Sequence, residues 1–354
     1  MLMVIFGAGA SFDSCPTYPP GYPGAVIGGD PLNKHYRPPL ANELFENRPM
    51  FADAIKSFPQ CQPIVPRLRS LQGETLEAVL EDLQAKSKSY PRGAQQLAAV
   101  RYYLQFVMRE CQRRWREVAA GVTNYKSLLN EIERANTGME PICLVTFNYD
   151  MLLEDALADF GLRIEAMDDY TKKHPFYKLF KLHGSVNWVR EVGVPTKAEN
   201  PGYVWGVVND LIERAAEIHD QITQNYILSQ DHPPGVVGGA PMFPAIAIPV
   251  EKKSTFECPQ QMLDELITLL PKVSKILVIG WRATEAHFLA LLKTNLRRGV
   301  HLWIVASPDQ RQGEDIKDHI CREMLPNNVP IASVDRGGFT DFILSRRAEQ
   351  FLAS

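Results

Sequence analysis

Three short segments carry side chains whose types and spacing could do chemistry. Gly7-Ala8-Gly9, with Ser11 close behind, follows the apolar run Leu2-Met3-Val4-Ile5-Phe6. Glycine lets a backbone turn sharply and approach a ligand without a Cβ in the way. The N–H groups of such a turn attract a diphosphate. The same residues could equally form a tight strand-to-helix turn with no ligand. The third glycine of the dehydrogenase fingerprint is missing, and no Lys-Ser/Thr pair follows, which excludes a P-loop. The second segment is Thr146-Phe147-Asn148-Tyr149-Asp150. The Asn148 amide could hold a sugar hydroxyl or position a water, and the Asp150 carboxylate could accept from a carboxamide. Alternatively both side chains cap the next helix as an Asx-turn. The third is His183-Gly184, among the apolar Leu182, Val186 and Trp188. An imidazole there could act as a general base, or it could be a partly buried histidine bonded to a backbone carbonyl.

These groups matter together only if the fold brings them together. Apolar runs at residues 2–6, 142–147, 177–182, 275–280 and 301–306 read as strands, and 245–250 is a further short apolar run. Helix signals fall at 151–160, 258–270, 285–296 and 340–352, with Gly161 a plausible stop after the first. Strands alternating with helices predict a parallel sheet covered on both faces, with the strand-end loops on one shared edge. Residues 12–39, rich in Pro, Gly and Tyr, read as a long loop. Residues 40–136 read as a helical insertion after the first strand, with one helix at 74–83. A second amphipathic helix carries the stripe Leu97, Val100, Leu104, Val107, Cys111, Trp115 and Val118. Arg109, Arg113, Arg114 and Arg116 crowd its other side, read as a solvated face rather than a nucleic-acid patch. Residues 191–243, with one helix signal at 207–230, read as a second insertion. The whole of 1–354 is expected to be one domain.

Bulk properties narrow the class. The 354 residues carry 38 Lys and Arg against 41 Asp and Glu, so net charge argues for neither nucleic acid nor a membrane surface. The six scattered cysteines include no CxxC pair, which weighs against a zinc ribbon and suits a reducing cytoplasm. The apolar start at Met1 is too short for a signal peptide, and no run reaches the length of a membrane span.

The motifs resemble those of the sirtuin family. Its pattern is a Gly-Ala-Gly loop, then Thr-Gln-Asn-Ile-Asp, then His-Gly, then a late strand ending in Gly. Here the order is kept by Gly7-Ala8-Gly9, Thr146-Phe147-Asn148-Tyr149-Asp150, His183-Gly184 and Gly280. The stretches Ser11-Phe12-Asp13-Ser14, Arg37-Pro38-Pro39-Leu40 and Lys181-Leu182-His183-Gly184-Ser185 look more like the prokaryotic sirtuin-like branch that depletes NAD in anti-phage defence. Departures are equally informative. The paired cysteines of the deacylase zinc module are absent, Phe147 stands where deacylases have Gln, and the late loop reads Gly280-Trp281-Arg282-Ala283.

The resemblance implies a Rossmann-like α/β fold without a zinc module, and NAD as substrate with no metal. It implies hydrolysis of the nicotinamide–ribose bond to nicotinamide and ADP-ribose. Gly7, Ala8, Gly9 and Ser11 would hold phosphate, Asp150 the carboxamide, and Asn148 the ribose or attacking water. His183 would be base or ribose orienter, with Asp13, Arg37 and Gly280 as further contacts. Alternatives are NAD-dependent protein deacylation and a non-catalytic sensor of NAD or ADP-ribose. A Rossmann dehydrogenase fails on the glycine motif and on a missing acidic residue after a second strand. Control by self-assembly into a homo-oligomer, or by a partner such as a ring-forming ATPase or a nucleic-acid-sensing protein, is expected, in the cytoplasm and away from membranes.

Overall fold

The computed structural model describes residues 1–21, 35–70, 75–87, 90–136, 140–250, 255–297, 299–308, 312–324 and 331–353. Most of the long Pro/Gly/Tyr loop (22–34) and the first residue of the expected helix at 74–83 lie outside the described residues. Among the described residues there are ten strands: β1 (Leu2–Phe6), β2 (Ile142–Thr146), β3 (Tyr177–Lys181), β4 (Gly184–Val192), β5 (Ile222–Leu228), β6 (Val236–Val237), β7 (Ala240–Ile246), β8 (Lys275–Ile279), β9 (His301–Val305) and β10 (Ile331–Asp335).

Six of them form one parallel sheet in the order β10-β9-β8-β1-β2-β3. Renumbered within the sheet, this is the 3-2-1-4-5-6 order of Rossmann folds. Every residue of β2 is buried, as are Met3–Phe6 of β1 and Ile276–Ile279 of β8. Unbroken apolar strands are what a parallel sheet flanked by helices requires, because both faces are covered. Each fully buried aliphatic side chain contributes about 1.5–3 kcal/mol. After β3 the chain returns to the other side of β1, so the topological switch point lies between the ends of β1 and β8.

The chain divides into two compact units. The first comprises 1–38, 112–182 and 260–354, and holds the parallel sheet. The second comprises 39–111 and 183–259. Within the second unit, β4 is central to an antiparallel sheet of order β5-β4-β7-β6. The helix signal at 207–230 resolves into helices Val204–Glu213 and Ala215–Ile218, and then β5. The β-branched and aromatic residues Ile222, Thr223, Tyr226 and Ile227 favour an extended edge that pairs with β4. Strand β10 and helix Gln312–Met324 had no clear sequence signal, and the expected helix at 340–352 is two, Gly338–Leu344 and Arg347–Ala353. They separate at Arg346, whose φ of 56° breaks helical geometry.

The amphipathic stripe lies on helix Pro91–Ala119, where Val100, Leu104, Val107, Cys111 and Trp115 are fully buried. On its outer side Arg113 and Arg114 pair with Glu117, Arg116 binds both Asp155 oxygens, and Arg109 donates to the Gln230 carbonyl. This is a charge-paired face. Among the described residues, no helix is long and apolar enough to cross a membrane.

One buried ion pair braces the switch-side edge. Lys181, at the end of β3 with no exposure, lies 2.9 Å from the Glu154 carboxylate, itself 4% exposed. Burial pushes the Glu154 carboxyl above its usual range, while Lys181 pulls it back. Removing one member leaves the other charge buried. Lys181→Met is therefore expected to destabilise the protein by about 3–5 kcal/mol. The double variant Lys181→Met, Glu154→Gln is expected to recover part of that loss, as chemical denaturation would show.

Candidate functional site at the switch point

The site is built on three glycines. The Gly7 N–H donates to the Ile279 carbonyl and the Gly9 N–H to the Gly280 carbonyl, each at 3.0 Å. A Cβ on Gly7 would lie 2.5 Å from the Gly280 oxygen, and one on Gly9 2.8 Å from the Gly280 Cα. Gly280 has φ +61°, and a Cβ there would meet the Ala10 nitrogen at 2.3 Å. The glycines thus let two backbones touch across the switch point. Two of the loop amides expected to face phosphate are engaged in that contact. Ala8, the first residue of helix Ala8–Phe12, has no intrahelical acceptor for its N–H.

The turn after β2 is tied to this loop. The Phe147 N–H donates to the Phe6 carbonyl at 3.0 Å, which sets Asn148 beside Gly7. Asn148 Nδ2 donates to Ser11 Oγ at 2.9 Å and lies 3.3 Å from the Tyr125 hydroxyl. Ser11 and Tyr125 share a further bond of 2.9 Å, and all three residues are buried. Asp150 Oδ1 accepts the Leu152 N–H at 3.1 Å, so the Asx-turn reading holds for one of its oxygens. The Asp150 carbonyl accepts from Lys181, and the Met151 N–H donates to Gln112. Two atoms are left over. Asn148 Oδ1 and Asp150 Oδ2 are buried with no hydrogen-bond partner among the described residues.

Asp13 is occupied differently from expectation. Its two carboxylate oxygens accept from the Thr340 N–H and hydroxyl, at 3.0 and 2.6 Å. Burial raises its pKa, opposed by these hydrogen bonds. Asn124 donates to both the Asp13 carbonyl and the Thr340 hydroxyl. Arg37 donates to the Phe12 and Tyr18 carbonyls and lies over the rings of Phe12, Tyr18 and Trp115. Both side chains thus secure the chain around the first loop. Asn124, Tyr125 and Thr340 had not been singled out in the sequence, where they sit in plain amphipathic helix starts.

Two of the positions that depart from the deacylase pattern are neighbours in space. Phe147 stacks on Trp281 with ring centroids 5.3 Å apart and planes 12° off parallel, and both rings meet the edge of Phe288. Trp281 Nε1 donates to Glu285.

His183 belongs to the second unit, where it is 3% exposed. Its carbonyl accepts the Ala247 N–H, and its backbone bridges to Glu257. Gly184 has φ +77°, and a Cβ there would stand 1.9 Å from the Ala245 oxygen, so only glycine fits. The Glu257 carboxylate accepts from Arg101, Arg190 and Tyr226.

Residues 142–323 match the family described as SIR2-like domain. The chain belongs to that family. The matched stretch of this SIR2-like chain contains Asn148, Asp150, His183 and Gly280 but begins after the Gly7 loop. No curated protein matches the sequence. Similar solved structures include a Sir2 homologue mutant in complex with ADP-ribose, at 17% identity over 99% of this chain and 93% of that one, TM-score 0.39. Another is Sir2Tm bound to a propionylated peptide, at 14% identity over 99% and 94%, TM-score 0.39. A third is a Sir2–p53 peptide–NAD complex, at 16% identity over 100% and 94%, TM-score 0.38. Among the described residues, no group of three His, Cys, Asp or Glu could hold a metal ion.

The glycine contact is open to direct test. Gly280→Ala meets both a positive φ and backbone atoms, whereas Gly238→Ala, at φ +59°, meets open space. Gly280→Ala is expected to cost at least about 2 kcal/mol more than Gly238→Ala, measured by urea unfolding.

Proposed function

We propose that this SIR2-like chain hydrolyses NAD at the nicotinamide–ribose bond, giving nicotinamide, ADP-ribose and a proton. The observation that carries the reading is the pair of unpartnered buried atoms, Asn148 Oδ1 and Asp150 Oδ2. Both are hydrogen-bond acceptors. An unmet buried acceptor is unfavourable by about 1–3 kcal/mol, so it marks a place where a donor group is expected to bind. The nicotinamide end of NAD offers such donors: the carboxamide N–H groups and the ribose hydroxyls. NAD fits this donor–acceptor pattern at the switch point, where Rossmann folds bind dinucleotides.

NAD itself supplies a cationic bond whose leaving group departs as neutral nicotinamide, so the protein need not protonate it. Positive charge builds on the ribose as that bond breaks. Asp150 would receive the carboxamide through Oδ2 and contribute negative charge nearby. Asn148 would hold the ribose hydroxyl or the attacking water through Oδ1. Ala8 would offer its N–H to phosphate, with Gly7, Gly9, Ser11, Asp13 and Gly280 shaping the loop that bears it. The sequence motif assigns His183 as the base that takes the proton from water, or as the orienter of the ribose. The Phe147–Trp281 stack, standing where deacylases carry other residues, supports hydrolysis over protein deacylation. The prokaryotic branch resemblance supports a role as an NAD-depleting effector in anti-phage defence, acting in the cytoplasm as a homo-oligomer or under a protein partner.

Purified Asn148→Ala, Asp150→Ala and His183→Ala chains that fold are expected to consume NAD about a hundredfold more slowly than the unaltered chain. Chromatography of the products checks this. Undiminished turnover by Asn148→Ala and His183→Ala, or activity on an acylated peptide that outpaces loss of NAD alone, would overturn the proposal.

A further inference from the structure

We infer that Tyr125 is a positioning residue: its hydroxyl, together with that of Ser11, fixes the Asn148 amide so that Nδ2 is held by protein and Oδ1 is left to receive a ligand's donor. The inference rests on the reading of Asn148 given above. It adds a residue from the helix Asn124–Ala135, outside every motif and 114 residues from Ser11.

The geometry is a closed triangle. Ser11 Oγ lies 2.9 Å from both the Tyr125 hydroxyl and Asn148 Nδ2, and the third side measures 3.3 Å. An amide held by one hydroxyl can turn over and exchange its oxygen for its nitrogen. Here Nδ2 brings two N–H groups to two hydroxyl oxygens, whereas a turned-over Oδ1 would find at most one hydroxyl proton, the other being shared between Ser11 and Tyr125. The phenol ring is itself fixed. It is 1% exposed, meets Phe6 edge-on at 5.3 Å and Phe339 at 5.6 Å, and has nowhere to swing. Burial holds the phenol well above its ordinary pKa, so it keeps its proton and stays a neutral hydroxyl over the working range. The preceding residue, Asn124, grips Asp13 and Thr340. One helix start therefore supports both the loop after β1 and the turn after β2.

The test uses the full chain. Tyr125→Phe removes one oxygen and keeps the ring. Its kcat for NAD is expected to fall about tenfold with KM within about twofold, because the lost group acts on orientation rather than on affinity. In an Asn148→Ala background, Tyr125→Phe is expected to cause no further loss, since its effect passes through the missing amide. A second measurement does not depend on turnover. In protein labelled with 15N-asparagine, the Asn148 side-chain NH2 pair is assigned by its disappearance in Asn148→Ala. Its exchange with solvent is expected to be about tenfold faster in Tyr125→Phe, and likewise in Ser11→Ala, as protection by a hydrogen bond is lost. Unchanged exchange in Tyr125→Phe, or kinetic losses that multiply in the double variant, would overturn the inference. If the unaltered chain leaves NAD intact, the proposed function fails, and the exchange rates alone decide the role of Tyr125.

Discussion

Two backbones pass within touching distance where Gly7 and Gly9 meet Gly280, and the rest of the site depends on that closeness. A methyl group at any of the three would force β1 and β8 apart at their ends. The contact does more than allow approach. It uses the Gly7 and Gly9 N–H groups to join the loop after β1 to the end of β8. Register at the switch point is thus set by main chain rather than by side chains. A ligand bound there would meet a rigid floor instead of a mobile loop.

On that floor the polar groups are arranged with uneven satisfaction. Thr146, Ser11, Tyr125 and Gln112 each accept one bond from the turn after β2, and Lys181 and the Leu152 N–H each donate one to it. Within the turn, Asn148 Oδ1 and Asp150 Oδ2 have no partner among the described residues, as is also true of Glu154 Oε2 and Asn124 Oδ1 beside it. Folded proteins rarely leave buried acceptors unmet, and the exceptions cluster where binding or catalysis needs them. The bonds just named hold the turn that carries Asn148 and Asp150 in place. The buried Lys181–Glu154 pair fits the same logic, since it fixes the end of β3 against the Asp150 main chain.

Much of the sheet was legible from the sequence. β1, β2, β3, β8 and β9 are largely apolar runs, and their ends fall within a residue of the stretches read as strands. Strand β10 was not, because Ala332, Ser333 and Asp335 dilute its apolar signal. β5 was hidden by following two helices with no Gly or Pro between them. Asn148 and Asp150 could be picked out because they stand just past a buried strand. Tyr125 could not, because it partners Ser11 across 114 residues while lying on a face, with Leu128, Leu129 and Ile132, that looks like ordinary core. Asp13 was visible as a polar residue near a loop. Its true partner, Thr340, lies 327 residues away, beyond the reach of any local pattern.

That last separation bears on how the protein matures. Ribosomal synthesis delivers β1 first, yet its two sheet neighbours begin at residues 142 and 275, and the threonine that captures Asp13 emerges later still. Contacts so distant along a chain close slowly, because the entropy of a long loop must be overcome before any bond rewards it. The switch point therefore cannot assemble until β8 has been made. For an enzyme proposed to consume a currency of the whole cell, that order withholds competence until the strand that leads to Gly280, and Thr340 after it, have been synthesised.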